Sequence, residues 1–128
     1  MEILNHIALP LAFQSDIQDF YKNILGFTEK YRFEIDPETA ETIFRIRKPI
    51  RVEVFERCDF RIELYHVEDM QMQGVNHICL NEMDIDGVCQ RAGAAGYHVV
   101  RIDRLAAKLA FITDKTGNRF EIKQMIQP

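Results

Sequence analysis

The chain has 128 residues, of which 47% are hydrophobic and 28% are charged, and its formal net charge is −4. This length suits a single domain with its own core, and the acidic balance excludes nucleic acid as the main partner because phosphate contacts need a basic surface. No apolar run reaches the roughly 18 residues of a membrane-spanning helix, so we expect no membrane partner. The N-terminus lacks a signal-peptide pattern, and the three cysteines lack metal or redox spacing, which favours reduced thiols in a cytoplasmic protein.

The first half of the chain predicts a strand, a helix and three further strands. Residues 3–9 form the first strand, and Ser15 or Asp16 caps a helix that Gly26 ends. The buried face of this helix recurs at helical spacing and consists of Ile17, Phe20, Tyr21 and Ile24. Later strands are expected at residues 28–33, 51–56 and 60–67. The segment 36–47 stays open between a helical turn and a strand.

The second half of the chain repeats this order of elements. Residues 75–81 predict a strand, and Asp84 or Asp86 caps a helix that ends near Ala95, with Gly96 as its stop. Three strands are expected after it, at residues 98–102, 109–113 and 119–125.

Short signals also repeat at matching points of the two halves. The first half opens with NHIAL at residues 5–9, and the second opens with NHICL at residues 76–80. Each half closes on a strand with one Glu in an apolar frame, RIEL at residues 61–64 and RFEI at residues 119–122. The first half is longer because the segment 36–49 has no counterpart in the second.

These patterns predict one α+β domain over residues 1–128, built from two tandem βαβββ modules. The modules are expected at residues 1–69 and 74–128. One module alone cannot cover both faces of its strands, so the two should form a curved, mostly antiparallel sheet around a shared cavity.

One His opens each half and one Glu closes it, which makes His6, Glu63, His77 and Glu121 candidate metal ligands. Side chains alternate along a strand, so each Glu points away from its apolar neighbours, onto a polar concave face. A single His or Glu on a strand is more often a structural or solvated residue. The match between two repeats favours the metal site, and this ligand set suits Zn²⁺, Ni²⁺, Co²⁺ or Mn²⁺.

Other residues have weaker claims on the site. Tyr65 and Cys79 lie two positions from Glu63 and His77, on the same faces, where packing explains them equally well. The basic stretch at residues 45–51 suits either an anionic substrate tail or, more simply, a solvated surface.

The chain resembles the vicinal oxygen chelate superfamily, the group of glyoxalase I, bleomycin-resistance proteins and extradiol dioxygenases. The resemblance rests on the paired modules, the two NHIxL strands, the IEL strand and the DxxGxxFEI ending at residues 114–122. It implies that His6, Glu63, His77 and Glu121 bind one divalent metal ion. Such a His-Glu-His-Glu set resembles bacterial glyoxalase I most closely, whereas dioxygenases and fosfomycin-type thiol transferases use two His and one carboxylate.

The resemblance implies a glyoxalase I-like enzyme of the lactoylglutathione lyase type. In this lyase or isomerase chemistry, the metal stabilises an enediolate while a Glu moves a proton next to a carbonyl. The base would be Glu121, with Glu63 as the alternative. The other functions left open are a methylmalonyl-CoA-epimerase-like enzyme, a dioxygenase or thiol transferase, and a metal-free small-molecule-binding protein of the bleomycin-resistance type. The partners implied are a small-molecule substrate and a second copy of the chain, since homodimers are usual in the family.

Overall fold

The computed structural model of the protein describes residues 2–104 and 107–125. Its contacts divide the chain into two compact units, each with one four-stranded sheet. The first unit comprises Met1–Ala12 and Gly26–Met70, and the second comprises Phe13–Leu25 and Gln71–Pro128. Among the described residues, no helix is long and apolar enough to cross a membrane.

The sheet of the first unit has the strand order β1-β4-β3-β2. Its strands are β1 (Ile7–Leu11), β2 (Thr28–Ile35), β3 (Ile50–Arg57) and β4 (Phe60–His66). β1 runs parallel to β4, and the other two pairs are antiparallel. The segment that the sequence left ambiguous forms helix α1 (Pro37–Phe44). Asp36 caps it by accepting a hydrogen bond from the Thr39 backbone N–H at 3.1 Å, and Ala40 packs with apolar residues of β3.

The sheet of the second unit repeats this topology with the order β5-β8-β7-β6. Its elements are β5 (Ile78–Glu82), α2 (Ile85–Ala94), β6 (His98–Arg104), β7 (Ala107–Thr113) and β8 (Arg119–Gln124). β5 runs parallel to β8, and the other pairs are antiparallel. Asp84 caps α2 by accepting from the Gly87 N–H at 3.0 Å. Gly96 follows the helix at φ 86°, a left-handed conformation that glycine adopts without strain.

The helix predicted early in the chain is a short π-helix, Ile17–Lys22, and belongs to the second unit. Its backbone bonds span five residues, for example from the Leu25 N–H to the Phe20 carbonyl at 3.0 Å. The Phe20 ring centroid lies 4.9 Å from that of Tyr97 and 5.7 Å from that of Phe120. The four residues predicted to form the buried face are all buried, and these aromatic contacts tie the helix to the sheet of the second unit.

The structure confirms the predicted α+β fold of two tandem βαβββ modules, with α1 as an addition to the first. Antiparallel pairs predominate, as expected, and each module forms its own sheet. β1 and β5 begin later than predicted because their pairing starts at Ile7 opposite Ile62 and at Ile78 opposite Phe120. His6 and His77 therefore directly precede these two strands.

Candidate metal centre

The first unit brings His6 and Glu63 together. Glu63 lies in the middle of β4, opposite Ala8 of β1, and is only 7% exposed. The His6 Nε2 lies 3.3 Å from the Glu63 Oε1. The other ring nitrogen of His6, Nδ1, lies 2.8 Å from the side-chain oxygen of Asn5.

The second unit contains a matching pair. Glu121 lies in β8, opposite Cys79 of β5, and is half-buried. The His77 Nε2 lies 3.2 Å from the Glu121 Oε1. The His77 Nδ1 lies 2.8 Å from the Val75 carbonyl oxygen, so both histidines have an acceptor at Nδ1 and a carboxylate at Nε2.

This arrangement favours Nε2 as the ring nitrogen that binds a cation. An acceptor at Nδ1 places the proton there, so in the neutral ring the lone pair of Nε2 faces a carboxylate oxygen. Two acceptors in contact repel each other unless a proton or a metal ion lies between them. Neighbouring ligands on one metal ion, with bonds of about 2.1 Å, are separated by about 3 Å. The N–O distances of 3.3 and 3.2 Å in the two pairs fit that requirement.

The four predicted ligands are thus brought together two by two, one pair in each unit. Among residues 2–104 and 107–125, no group of three or more His, Cys, Asp or Glu side chains is close enough to hold a metal ion. A site that uses all four residues stays a prediction.

Tyr65 and Arg61 flank Glu63 on its own face of β4. The Tyr65 hydroxyl lies 3.3 Å from the Glu63 Oε1, and burial, together with the Glu63 charge, raises the pKa of Tyr65. Arg61 donates to the Glu56 Oε1 from Nε at 2.9 Å and from Nη2 at 2.6 Å. This hydrogen bonding lowers the pKa of Glu56 and raises that of Arg61. The first pair therefore lies beside Tyr65 and beside an arginine whose charge is paired with Glu56.

Cys79 and Phe111 flank the second pair. Phe111 lies opposite Glu121 in the adjacent strand β7, and its ring centroid is 5.5 Å from that of His77. Burial raises the pKa of the Cys79 thiol, and the nearby Glu121 adds to the effect. The sequence placed Cys79 on this face correctly.

His66 forms a third His–Glu pair, which the sequence did not reveal. It lies on the opposite face of β4 from Glu63, and its Nε2 is 2.5 Å from the Glu53 Oε2. Glu53 is buried in β3, opposite Leu64. The available signal was an acidic residue between Val52 and Val54 in a predicted strand, although that pattern does not identify its partner.

The basic residues of the stretch 45–51 are all exposed. Arg45 ends α1 in a left-handed conformation with φ 60°, and the exposed Arg47 pairs with Glu41 at 3.2 Å. These features suit the solvated surface that the sequence favoured.

A buried polar network joins the π-helix to the last turn of the second unit. The Tyr21 hydroxyl donates to the Asp114 Oδ2 at 2.5 Å, and the Asn118 side chain donates to the same oxygen at 2.9 Å. Asp16 accepts from the Tyr97 hydroxyl at 2.6 Å. Burial raises the pKa of Asp114 against the hydrogen bonds from Tyr21 and Asn118, which lower it. This network is structural and lies outside the two candidate pairs.

A family model described as the glyoxalase/bleomycin resistance protein/dioxygenase superfamily matches residues 3–122. No curated protein sequence matches the chain. Among solved structures, the fosfomycin resistance protein FosX of Listeria monocytogenes matches with a TM-score of 0.75 at 18% identity, over 98% of this chain and 95% of that one.

Two further solved structures extend this likeness. A Glu-to-Gln mutant of the same FosX, complexed with Mn(II) and 1S,2S-dihydroxypropylphosphonic acid, matches with a TM-score of 0.74 at 18% identity, over 98% of this chain and 92% of that one. A glyoxalase family protein from Enterococcus faecalis matches with a TM-score of 0.70 at 17% identity, over 94% and 96% of the two chains. At these identities the likeness shows a shared fold.

Proposed function

Because the chain belongs to the glyoxalase/bleomycin resistance protein/dioxygenase superfamily, we propose that it is a divalent-metal-dependent lyase or isomerase of the glyoxalase I type. The observation that carries the proposal is the pair of matched His–Glu contacts, with N–O distances of 3.3 and 3.2 Å. In both, an acceptor at Nδ1 leaves the Nε2 lone pair free for a cation. The protein would act on a small molecule, in the cytoplasm and as a homodimer.

The residues that would hold the ion are His6, Glu63, His77 and Glu121. Two imidazoles and two carboxylates suit Zn²⁺, Ni²⁺, Co²⁺ or Mn²⁺, and the carboxylates formally cancel the charge of a divalent ion. A substrate with two neighbouring oxygens would suit such an ion. When bound, such an ion supplies Lewis-acid stabilisation of negative charge on those oxygens.

Glu121 is the better candidate for the catalytic base. Glu63 is only 7% exposed and has the Tyr65 hydroxyl beside its Oε1. These contacts favour a role as a metal ligand that stays in place over a role as a base. The Glu121 side chain is 16% exposed, compared with 9% for the Glu63 side chain, so it is slightly more accessible to a substrate proton. In the proposed reaction, Glu121 accepts a proton from the carbon next to a carbonyl and returns it to the adjacent carbon. Such general-base transfer contributes about 10²–10⁴-fold to the rate.

Metal analysis of purified variants tests the ligand set. We expect about one Zn, Ni, Co or Mn ion per chain in the wild type and a large loss of metal in Glu63→Gln and Glu121→Gln. Glu53→Gln is the matched control, because Glu53 is also a buried carboxylate beside a histidine but is not one of the four proposed ligands. Metal that is retained in both test variants, or lost equally in the control, would contradict the proposal.

A fosfomycin-resistance type of activity is the second candidate, because the fold of the chain matches that of FosX, including a form complexed with Mn(II). Three assays on metal-loaded protein compare the candidates: hemithioacetal isomerisation, acyl-CoA epimerisation and fosfomycin consumption. We expect isomerisation activity that Glu121→Gln abolishes. If fosfomycin is the only one of the three substrates that is consumed, the second candidate is correct.

A further inference from the structure

The face of β8 that carries Glu121 also carries two cations. Side chains alternate along the strand, so Arg119, Glu121 and Lys123 share one face, while Phe120 and Ile122 are fully buried on the other. Neighbouring side chains on one face of a strand are about 7 Å apart. Glu121 therefore has a positive charge on each side of it.

Neither of these cations is neutralised by a carboxylate partner in the described part of the chain. The Arg119 Nη1 donates to the Gly74 carbonyl oxygen at 2.5 Å, which positions the guanidinium without cancelling its charge. Lys123 is exposed, and no ion pair joins it to another described residue. The first unit differs, because Arg61, which precedes Glu63 as Arg119 precedes Glu121, is paired with Glu56 at 2.6 Å.

Apolar side chains extend this face across the sheet. Phe111 and Leu109 of β7 lie opposite Glu121 and Lys123, and Val100 and Ile102 of β6 continue the same two rows. All four side chains are partly accessible, and Val100 is the most exposed of them at 40%. We call them the apolar strip. In the described strands of the second unit, Glu121 is the only acid on this face.

Charge balance indicates what such a face binds. If the proposed divalent ion is held by Glu63 and Glu121, its charge and those of the two carboxylates formally cancel, and Arg119 and Lys123 remain as excess positive charge. An anionic substrate group would balance that charge, and the apolar strip offers a surface for an apolar body. We propose that the Glu121 face binds an organic anion, with its charged group at Lys123 and its apolar body on the adjacent apolar strip, which begins at Leu109 opposite Lys123. This substrate class rests on the proposed function.

Calorimetric titration of Mn²⁺-loaded protein with two matched probes tests this class. Benzoylformate and 1-phenyl-1,2-propanedione both carry a phenyl ring and two vicinal oxygens, but only benzoylformate is an anion. In Lys123→Met, we expect the affinity for benzoylformate to fall about fivefold to tenfold, as expected for the loss of one nearby charge, while the affinity for the dione stays the same. Lys123→Arg should restore benzoylformate binding. Pyruvate, which lacks the ring, should bind more weakly than benzoylformate by about tenfold.

Lys108→Met is the matched control for charge. Lys108 lies in β7 on the opposite face, across from Asp103, so its loss changes the net charge equally but should leave both affinities unchanged. An equal loss in Lys108→Met, or an equal loss for the neutral dione in Lys123→Met, would overturn the inference. Titrations with Zn²⁺, Ni²⁺, Co²⁺ and Mn²⁺, each without an organic probe, separate the two proposals. If the wild type binds none of the four ions, the proposed function fails, while a benzoylformate preference of metal-free protein that Lys123→Met removes still supports the anion site.

Discussion

The two histidines of the repeat are oriented by acceptors of different kinds. The His6 Nδ1 faces the side-chain oxygen of Asn5, whereas the His77 Nδ1 faces the backbone carbonyl of Val75, both at 2.8 Å. The sequence has an Asn before each His, so the repeat alone suggests equal roles for Asn5 and Asn76. The structure separates them, because only Asn5 contacts the ring that follows it.

Replacing Asn5 with Ala should weaken divalent metal binding by about 10- to 100-fold, the range found when a hydrogen-bond partner of a metal-binding histidine is lost. Titration with Zn²⁺ or Mn²⁺ measures the effect. The matched control is Asn76→Ala, which should leave the affinity unchanged because Val75 still holds His77. Equal losses in the two variants would show that the acceptor at Nδ1 does not set the affinity.

The sequence predicted the faces of Glu63 and Glu121 because strand alternation is a local property. It did not predict the Glu53–His66 contact, which depends on how β3 and β4 are paired. Glu53 lies opposite Leu64, so it shares the face of His66, two residues further along β4. That register is set by the turn between the strands, where Cys58 has φ 53°, and residue periodicity does not specify it.

At the scale of the elements, the helical pattern at residues 17–24 correctly predicted the buried residues but not their partners. A buried face follows from spacing, whereas the sheet that it covers depends on long-range contacts. Here those contacts are the ring of Tyr97 and the carboxylate of Asp114, more than 70 residues away in sequence. Helix α1 was ambiguous because residues 36–47 contain both a helix start and β-branched residues. The cap at Asp36 and the burial of Ala40 favour the helix.

Removing the Tyr21 hydroxyl should loosen the π-helix from the second unit. Tyr21→Phe leaves the buried Asp114 carboxylate with one donor fewer, so we expect the free energy of unfolding to fall by about 1–3 kcal/mol. Chemical denaturation measures this change. Tyr31→Phe is the matched control, since Tyr31 is 48% exposed and its change should be close to zero. A negligible effect in Tyr21→Phe would show that water or a rearranged side chain replaces the hydroxyl.

At the scale of the whole molecule, the tandem repeat predicted the fold because it is visible along the entire chain. The same repeat singled out the four residues but not their pairing. In each module the His just before the first strand and the Glu in the last strand are brought together by the parallel pairing of those strands. Whether one ion joins both pairs is not a local property. It depends on contacts beyond a single module, which no pattern within a module encodes.

A thermodynamic cycle distinguishes one shared ion from two separate ones. At a free metal concentration of about 100 times Kd, a bound ion stabilises the folded state by about 2.7 kcal/mol. If one ion uses all four ligands, Glu63→Gln and Glu121→Gln should each abolish most of that metal-dependent gain. The double variant should then lose no more than either single variant, because both changes remove the same interaction.

The measurement compares unfolding free energies with metal and with chelator, so that effects of the mutations on the metal-free fold cancel. Glu53→Gln should keep the full metal-dependent gain, since its pair with His66 lies on the opposite face of the first sheet from Glu63. Additive losses together with two ions per chain would mean that each unit binds its own metal ion. A shared site predicts one ion and non-additive losses, which is the behaviour that a catalyst with ligands from both repeats requires.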